Sequence, residues 1–311
     1  MNEDVVVVLS YHGREDTEAC VDSLVTGSPE ATVLVVDNGS HDGVLDSVGA
    51  RWPGVHTLQN PENLGFAGGM NSGIRWALAR DAGTVTVLNN DTVVPPGAIA
   101  ALSTIARTGV AVSPEVRYMK RPGEVWFGGG TIDEDTGLAR HLSEAETAAI
   151  CLEDGLRPSE TLAGCCVTAR SGVWRTVGLF DERYFLNFED SDWSVRAVRA
   201  GVPLVVDTRV HIEHKVSASF TGSYSYLGLF YYVRNALLFV RGTLGGSWSQ
   251  VVRLLRRHVV PALVSHLREG ERRELGRRLV VVGAAFVSYA TGRLGRAPRW
   301  LERRAQGWVS R

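Results

Sequence analysis

Val5-Val6-Val7-Val8-Leu9, Thr32-Val33-Leu34-Val35-Val36 and Val85-Thr86-Val87-Leu88 are short β-branched runs, and their character decides the fold. A strand covered on one face alternates apolar with polar residues, whereas a run apolar almost throughout is covered on both. A helical pattern from Glu15 to Val25 joins the first run to the second. A further run spans Val55 to Leu58, and a helix from about Gly68 to Arg80 leads into the last. Such alternation predicts an α/β fold: a Rossmann-like, mostly parallel central sheet flanked by helices. In sheets of this kind ligands bind at the carboxyl ends of strands. That singles out Ser10–His12, Asp37–Ser40 and Asn89–Asp91.

The chain beyond is less regular. A Gly128-Gly129-Gly130 turn and a polar stretch from Ser143 to Ser159 suggest mixed strands plus a loop between 110 and 165. A helix is expected from Asp190 to Ala200, then a strand from Val202 to Val206 and an irregular segment containing His211 and His214. Past Gly222, Leu227 to Val240, Trp248 to Leu267 and Arg272 to Tyr289 have the pattern of successive helices. This predicts a helical C-terminal extension, with domains at 1–222 and 223–311.

Of 311 residues, 33 are basic and 34 acidic, a net charge of −1. Up to Val233 the balance is −13; from Arg234 onward it is +12, all of it from arginine. A 44% apolar composition belongs to a globular protein and excludes wholesale disorder. Four cysteines, Cys20, Cys151, Cys165 and Cys166, are too few for a disulfide scaffold, and no CxxC occurs. The acidic N-terminus does not resemble a signal peptide. The longest apolar stretch, Leu279 to Ala290, has 12 residues, whereas a membrane-spanning helix needs about 20. A cytoplasmic protein is expected, with membrane contact at most peripheral at the inner face.

Five stretches carry chemistry. Asp37, in Val-Val-Asp-Asn-Gly-Ser, could accept the imide N–H of uracil or thymine or a ribose hydroxyl; an Asx-turn or helix cap is the alternative. In Asn63-Leu64-Gly65-Phe66-Ala67-Gly68-Gly69-Met70-Asn71, glycines opening a helix could admit a phosphate, with Asn63 and Asn71 bridging loop and ligand. The same glycines could instead permit tight helix–sheet contact. Asp91, in Asn89-Asn90-Asp91-Thr92, could bind Mg²⁺ or Mn²⁺ together with phosphate oxygens, or cap the helix starting near Pro95 or Pro96. Glu189-Asp190-Ser191-Asp192-Trp193 gathers three acids beside aromatics, which suits a general base. Favourable placement of acids in a first helical turn is the alternative. Finally, His211 and His214 would lie on opposite faces of a strand, so one of them could complete a site begun by Asp91. Trp126, Glu189, Asp192 and Trp193 are acceptor-side candidates.

The order of these motifs resembles that of the family 2 glycosyltransferases with a GT-A fold, especially the bacterial rhamnosyltransferase-like branch. The resemblance rests on VVVVLSYHGREDTEACVDSL (5–24), VVDNGS (35–40), NPENLGFAGGMNSG (60–73), LNNDT (88–92), GLFDERYFLNFEDSDWSVR (178–196), HKVSASF (214–220) and YYVRNALLF (231–239). It implies an inverting, metal-dependent transfer from a nucleoside-diphosphate sugar, dTDP- or UDP-linked, to a hydroxyl acceptor. Domain 1–222 would hold the donor and domain 223–311 would serve the acceptor side, a homodimer contact or a membrane contact. It further implies that Asp37 contacts the base, with Ser10 and Tyr11 lining the same pocket. Asn63 and the loop Gly65–Asn71, Gly68 included, would flank ribose and diphosphate. Asn89-Asn90-Asp91 would stand at the DxD motif, with Asn90 on the donor side and Asp91 and His214 on the divalent cation. Asp190 would be the catalytic base. Asn89 departs from the family's first DxD acid.

That departure motivates a second class of function, a non-catalytic nucleotide-sugar-binding scaffold. A third, nucleic-acid binding through the arginine-rich half, lacks a basic-aromatic motif; no nucleic-acid partner is expected.

Overall fold

The computed structural model describes residues 3–150, 152, 154–216, 225–261, 263–264 and 272–309. Cys151, the SASF end of HKVSASF (217–220), the boundary at 222/223 and the end of the expected Trp248–Leu267 helix lie outside the described residues.

The apolar runs form strands as expected. β1 (Asp4–Ser10) leads through α1 (Arg14–Gly27) to β2 (Thr32–Asp37), then α2 (Val44–Arg51) and β3 (His56–Gln59). Then come α3 (Gly65–Leu78), β4 (Thr84–Asn89), the short β5 (Thr92–Val93), α4 (Ala98–Ala106), β6 (Ala111–Tyr118) and β7 (Arg121–Phe127). After these follow β8 (Gly130–Ile132), β9 (Ala139–His141), α5 (Glu144–Ala149), β10 (Leu156–Pro158), β11 (Cys166–Arg170), α6 (Ser171–Val177), α7 (Glu189–Arg199) and β12 (Leu204–His214). The main sheet runs β10-β12-β6-β11-β4-β1-β2-β3. β3, β2, β1 and β4 are mutually parallel, as are β6 and β12; β11 is antiparallel to both its neighbours. Val5 to Val8 and Leu34 to Val36 are almost completely buried, as apolar-throughout runs require.

Three elements differ from expectation. α3 begins at Gly65, so Gly65–Asn71 is helix rather than loop. β12 extends to His214 because a bulge between Asp207 and His211 lets the strand continue past its apolar start. A terminal helix, α11 (Arg299–Val309), was not anticipated.

Why α3 tolerates so many glycines is visible against β1. A Cβ on Gly69 would stand 2.7 Å from Leu9 Cδ1, and one on Gly73 would overlap Val7 Cγ1. At these two positions the close-packing reading holds.

The chain divides into two compact units. The first comprises 1–131, 140–181 and 189–216 and contains the main sheet. The second comprises 132–139, 182–188 and 217–311. In it, α8 (Tyr226–Leu238) continues into a π-helical turn, Phe239–Thr243. It also holds α9 (Trp248–Leu254), capped by Ser247 and Gln250, and α10 (Arg272–Ala290), which packs on α8. No helix among the described residues is long and apolar enough to cross a membrane.

Gly73→Ala should destabilise the fold by roughly 1–3 kcal/mol through overpacking. Adding Val7→Ala should recover part of that loss in chemical denaturation. An unchanged midpoint in the single variant would show that α3 can simply move away.

Candidate active site

Two side chains far apart in sequence meet at one sheet edge. Asp91 follows β4 and His214 ends β12, and His214 Nε2 lies 3.0 Å from Asp91 Oδ1. The backbone ties the same ends together, since Lys215 N–H donates to the Asp91 carbonyl at 2.9 Å. Asp91 is not a helix cap: α4 starts after Gly97 in a left-handed conformation, with no side-chain cap. His211 is exposed while His214 is 4% exposed, as opposite faces of a strand demand. The contact is a carboxylate–imidazole hydrogen bond; two ligands bound at about 2.1 Å and a right angle to one cation would stand about 3.0 Å apart as well, so the pair could also hold Mg²⁺ or Mn²⁺. Among the described residues no group of three or more His, Cys, Asp or Glu could hold a metal. A cation here would therefore take its remaining ligands from phosphate oxygens and water.

Asp37 ends β2, beside Ser10 at the end of β1. Its Oδ1 accepts from Ser40 N (3.0 Å) and Ser40 Oγ (2.6 Å), and its Oδ2 from His41 N (3.0 Å) and Gln59 Nε2 (3.0 Å). Burial works to raise its pKa, but the Ser40 hydroxyl, Gln59 and the two amides outweigh it and hold the carboxyl below its ordinary value. The Asx-turn is thus present, and the carboxylate is already filled. Next to it Asn38, 2% exposed, accepts from Asn60 Nδ2 (3.1 Å) and Leu64 N (3.2 Å) and donates to Gly65 O (2.9 Å). Asn63 Oδ1 takes the Gly65 N–H at 2.8 Å. Asn38 lies in the Asp37–Ser40 stretch expected at a strand end but has no role assigned there, and Gln59 is not singled out from sequence. Gln59 pairs with Asp37 only through the β2–β3 register, which no local pattern reveals.

Asp190 opens α7. Its Oδ2 accepts from Gly164 N (2.9 Å) and its Oδ1 from Ser191 N (2.7 Å) and Ser191 Oγ (3.2 Å). A side chain at 164 would press on Asp190, since a Cβ there would lie 3.2 Å from Asp190 Cβ. Cys165 next door is buried, and burial, then Cys166, Asp91 and Asp190, push its thiol well above the ordinary value. It is no nucleophile at neutral pH. Trp126 packs edge-on to His214 (5.0 Å between centroids) and to His141 (4.8 Å), whose Nδ1 lies 2.7 Å from the Trp126 carbonyl.

Several expected site residues are engaged elsewhere. Asn71 is buried and exchanges hydrogen bonds with the Phe180 backbone, at 2.8 and 3.0 Å, which ties α3 to the loop before α7. Gly68 is a buried part of α3. Asn90 Nδ2 is spent on Thr17 Oγ1 (2.9 Å) and Gly13 O (3.2 Å). Ser10 is fully buried and accepts from Thr17 Oγ1 at 2.9 Å, while Tyr11 is exposed. On the acceptor side, Trp193 is 1% exposed, donates to Gly178 O and packs on Trp174, which makes it core. Asp192 is 3% exposed and paired with Arg196 Nε at 2.8 Å. Both side chains are thus engaged within α7 and the core beside it.

Five buried side-chain atoms among the described residues have no hydrogen-bond partner, and three belong here: Asn89 Oδ1, Glu189 Oε2 and His214 Nδ1. Such atoms are rare in folded proteins and invite a ligand explanation.

Comparison with known proteins identifies the family. Residues 5–140 match the family described as Glycosyl transferase family 2. An N-acetylglucosaminyl-diphospho-decaprenol L-rhamnosyltransferase of Mycobacterium tuberculosis is 31% identical over 84% of this chain and 91% of its own. The dTDP-rhamnosyl transferase RfbF of Shigella flexneri is 24% identical over 78% of this chain and 81% of its own. GalNAc-T7, solved with UDP, GalNAc and Mn²⁺, superposes with a TM-score of 0.63 at 15% identity, over 89% of this chain and 55% of its own. The mannosyltransferase PcManGT of Pyrobaculum calidifontis, solved with GDP-Man and Mn²⁺, gives 0.58 at 15% identity, over 93% of this chain and 87% of its own. The architecture is therefore that of a GT-A glycosyltransferase carrying additional C-terminal helices. The chain belongs to glycosyl transferase family 2, and its relatives include rhamnosyltransferases.

Glu189 yields a stability test. Burial, then the neighbouring Asp190, raise its pKa well above the ordinary 4.5. A raised acid favours folding below its unfolded pKa, and that advantage is lost as pH rises through the folded value. Glu189→Gln should therefore raise Tm at pH 7–8 and leave it nearly unchanged at pH 4. Equal Tm at both pH values would mean that the carboxylate has a charge partner when ionised.

Proposed function

We propose that this glycosyltransferase is an inverting, metal-dependent enzyme that moves a sugar from a dTDP- or UDP-linked donor, dTDP-rhamnose foremost, to an acceptor hydroxyl. The Asp91–His214 pair at the carboxyl ends of β4 and β12 is the observation that carries this reading. The choice of dTDP-rhamnose is supported by the activities named for the Mycobacterium and Shigella relatives. For the acceptor, the Mycobacterium name favours a diphospho-lipid-linked sugar; a polysaccharide or natural-product hydroxyl would present the same nucleophile. A cytoplasmic enzyme touching the inner membrane face only peripherally fits a lipid-linked acceptor. Residues 223–311 would then serve the acceptor side or a second copy.

Asp91 and His214 would hold a Mg²⁺ or Mn²⁺ ion, which supplies neutralisation of the departing diphosphate charge. Asp190 takes the acceptor's proton. Among the described residues its Oδ2 has a single partner, the Gly164 N–H, leaving a lone pair for the attacking hydroxyl. The base imide N–H reaches Asp37 by displacing the Gln59 amide, the long side-chain donor among four. Asn38, Asn60 and Asn63 keep the loop before α3 in shape. No covalent enzyme intermediate is required, which agrees with the inert, buried Cys165.

Asp190→Asn should lower kcat by about 10²–10⁴-fold, the usual contribution of a positioned base, while donor KM stays within a few-fold. Retained turnover would contradict the base assignment. In a thermal-shift screen of UDP-, dTDP- and GDP-sugars with and without Mn²⁺, a dTDP-sugar should stabilise most, and only with the metal. Asp91→Ala should abolish the Mn²⁺-dependent shift. An undiminished shift in that variant would rule out Asp91 as a ligand.

A further inference from the structure

The YYVRNALLF motif lies on α8, and two of its polar residues, Arg234 and Asn235, are fully buried at 0% exposure. Asn235 Nδ2 faces three carbonyl oxygens of one turn: Tyr184 (2.8 Å), Leu186 (2.7 Å) and Asn187 (3.0 Å). Its Oδ1 accepts from Arg234 Nε at 2.9 Å. Arg234 Nη2 donates to Tyr184 O (2.9 Å) and Arg183 O (3.2 Å), and Nη1 donates to Gly295 O. No carboxylate among the described residues pairs with this guanidinium. Its pKa is pushed down to about 10 by burial, as expected for a cation held only by carbonyls and the Phe230 and Tyr231 rings.

An uncompensated buried arginine is costly, and a neutral apolar residue would serve packing better. What it holds is equally costly. Phe185 (φ 63°), Asn187 (φ 67°) and Phe188 (φ 74°) are left-handed, three non-glycine residues within four positions. Side chains with a Cβ rarely adopt that conformation unless the surroundings impose it. The rings assist: Phe185 stacks on Tyr231 (5.2 Å, 12°) and Phe188 packs against Phe239 (5.7 Å). The turn ends at Phe188, and the next two residues in the chain are Glu189 and Asp190.

We propose that Arg234 and Asn235 are positioning residues for sugar transfer, holding residues 184–188 in a strained left-handed turn that sets the backbone entry to Glu189 and Asp190. This deepens the proposed function, because it rests on Asp190 as the base. The two residues act through the turn, spending their donors on its backbone carbonyls.

The test uses the full chain. Asn235→Asp keeps the shape but replaces an N–H donor with a carboxylate oxygen facing three carbonyls. Arg234→Lys keeps the charge but loses the fork, and serves if the first variant does not fold. Two readouts are taken. In hydrogen exchange, amides 184–190 should exchange at least about tenfold faster in the variant, with β1, β2 and β4 unchanged. Unchanged exchange at 184–190, or a uniform rise throughout the chain, overturns the proposal. In turnover of dTDP-rhamnose with Mn²⁺ and water as acceptor, kcat should fall about 100-fold, the scale of a misplaced catalytic group, with donor KM within about threefold. A rise in KM at constant kcat also overturns it. Combined with Asp190→Asn, the Asn235 change should add no further loss; full additivity would show that it does not act through the base. If Asp190→Asn alone keeps its turnover, the base assignment fails by itself, and the exchange result still decides the clamp.

Discussion

The parallel pairing of β1 between β2 and β4 sets the level at which functional side chains leave the sheet. Leu9 stands opposite Val36 and Asn89, and Ser10 opposite Asp37. With this register the last residues of three strands emerge at one edge, so Asp37 and the Asn89–Asp91 turn share a rim although 51 residues separate them. A slip of one residue would exchange the faces to which the residues of β1 point. Because β1 is apolar on both faces its pattern alone does not forbid that slip; the close fit of Leu9 to Gly69 and of Val7 to Gly73 on α3 is specific to the observed register. The glycines of α3 belong to the same constraint, since they allow a helix to lie directly on β1.

Onto that parallel half the chain adds a strand running the other way. β11 enters beside β4 with Cys166 opposite Leu88, so the turn before it, Gly164-Cys165, reaches the same rim. There the Gly164 N–H meets Asp190 and the Cys165 carbonyl meets the Asn89 N–H. β12 then returns parallel to β6 and delivers His214. Unpartnered atoms collect where these elements converge, and each unsatisfied buried group costs roughly 1–3 kcal/mol. Asn89, Glu189 and His214 thus each carry an unpartnered buried atom, a feature that calls for a ligand explanation.

The sequence made the inner strands legible because apolar content on both faces leaves only one arrangement. It concealed the start of α3, since glycine is a poor helix former and the contact with β1 that justifies it is tertiary. β12 was shortened in expectation because polar residues and a bulge interrupt its apolar pattern. In the site, Asp91 and His214 could be paired from motif order. Asp192 and Trp193 could not be placed correctly: acids beside an aromatic look the same whether α7 turns them toward a ligand or inward. The salt bridge to Arg196 one turn on was the available sign for Asp192. Asn38, Gln59, Thr17 and Gly164 act through register and loop closure, which sequence spacing does not encode.

The arginine excess after Val233 illustrates the same gap between composition and use. A balance of +12 suggests an anionic partner. Yet Arg234 is enclosed and serves as a fork of donors to backbone carbonyls. Arg253 Nε donates to the Asp135 carbonyl at 2.8 Å, and Arg257 pairs with the Asp135 carboxylate at 2.7 Å. Arg278 pairs with Glu274, and Arg296 with Glu302, each at 2.8 Å. Five of the arginines that produce the excess are therefore engaged inside the second unit. A guanidinium offers five N–H groups in a rigid plane, so one residue can satisfy several carbonyls of a turn where lysine would serve as a point charge. Part of the positive charge is then a by-product of building irregular backbone. Attraction to an anionic surface must come from the arginines left exposed, such as Arg272, Arg273 and Arg304, and not from the formal sum.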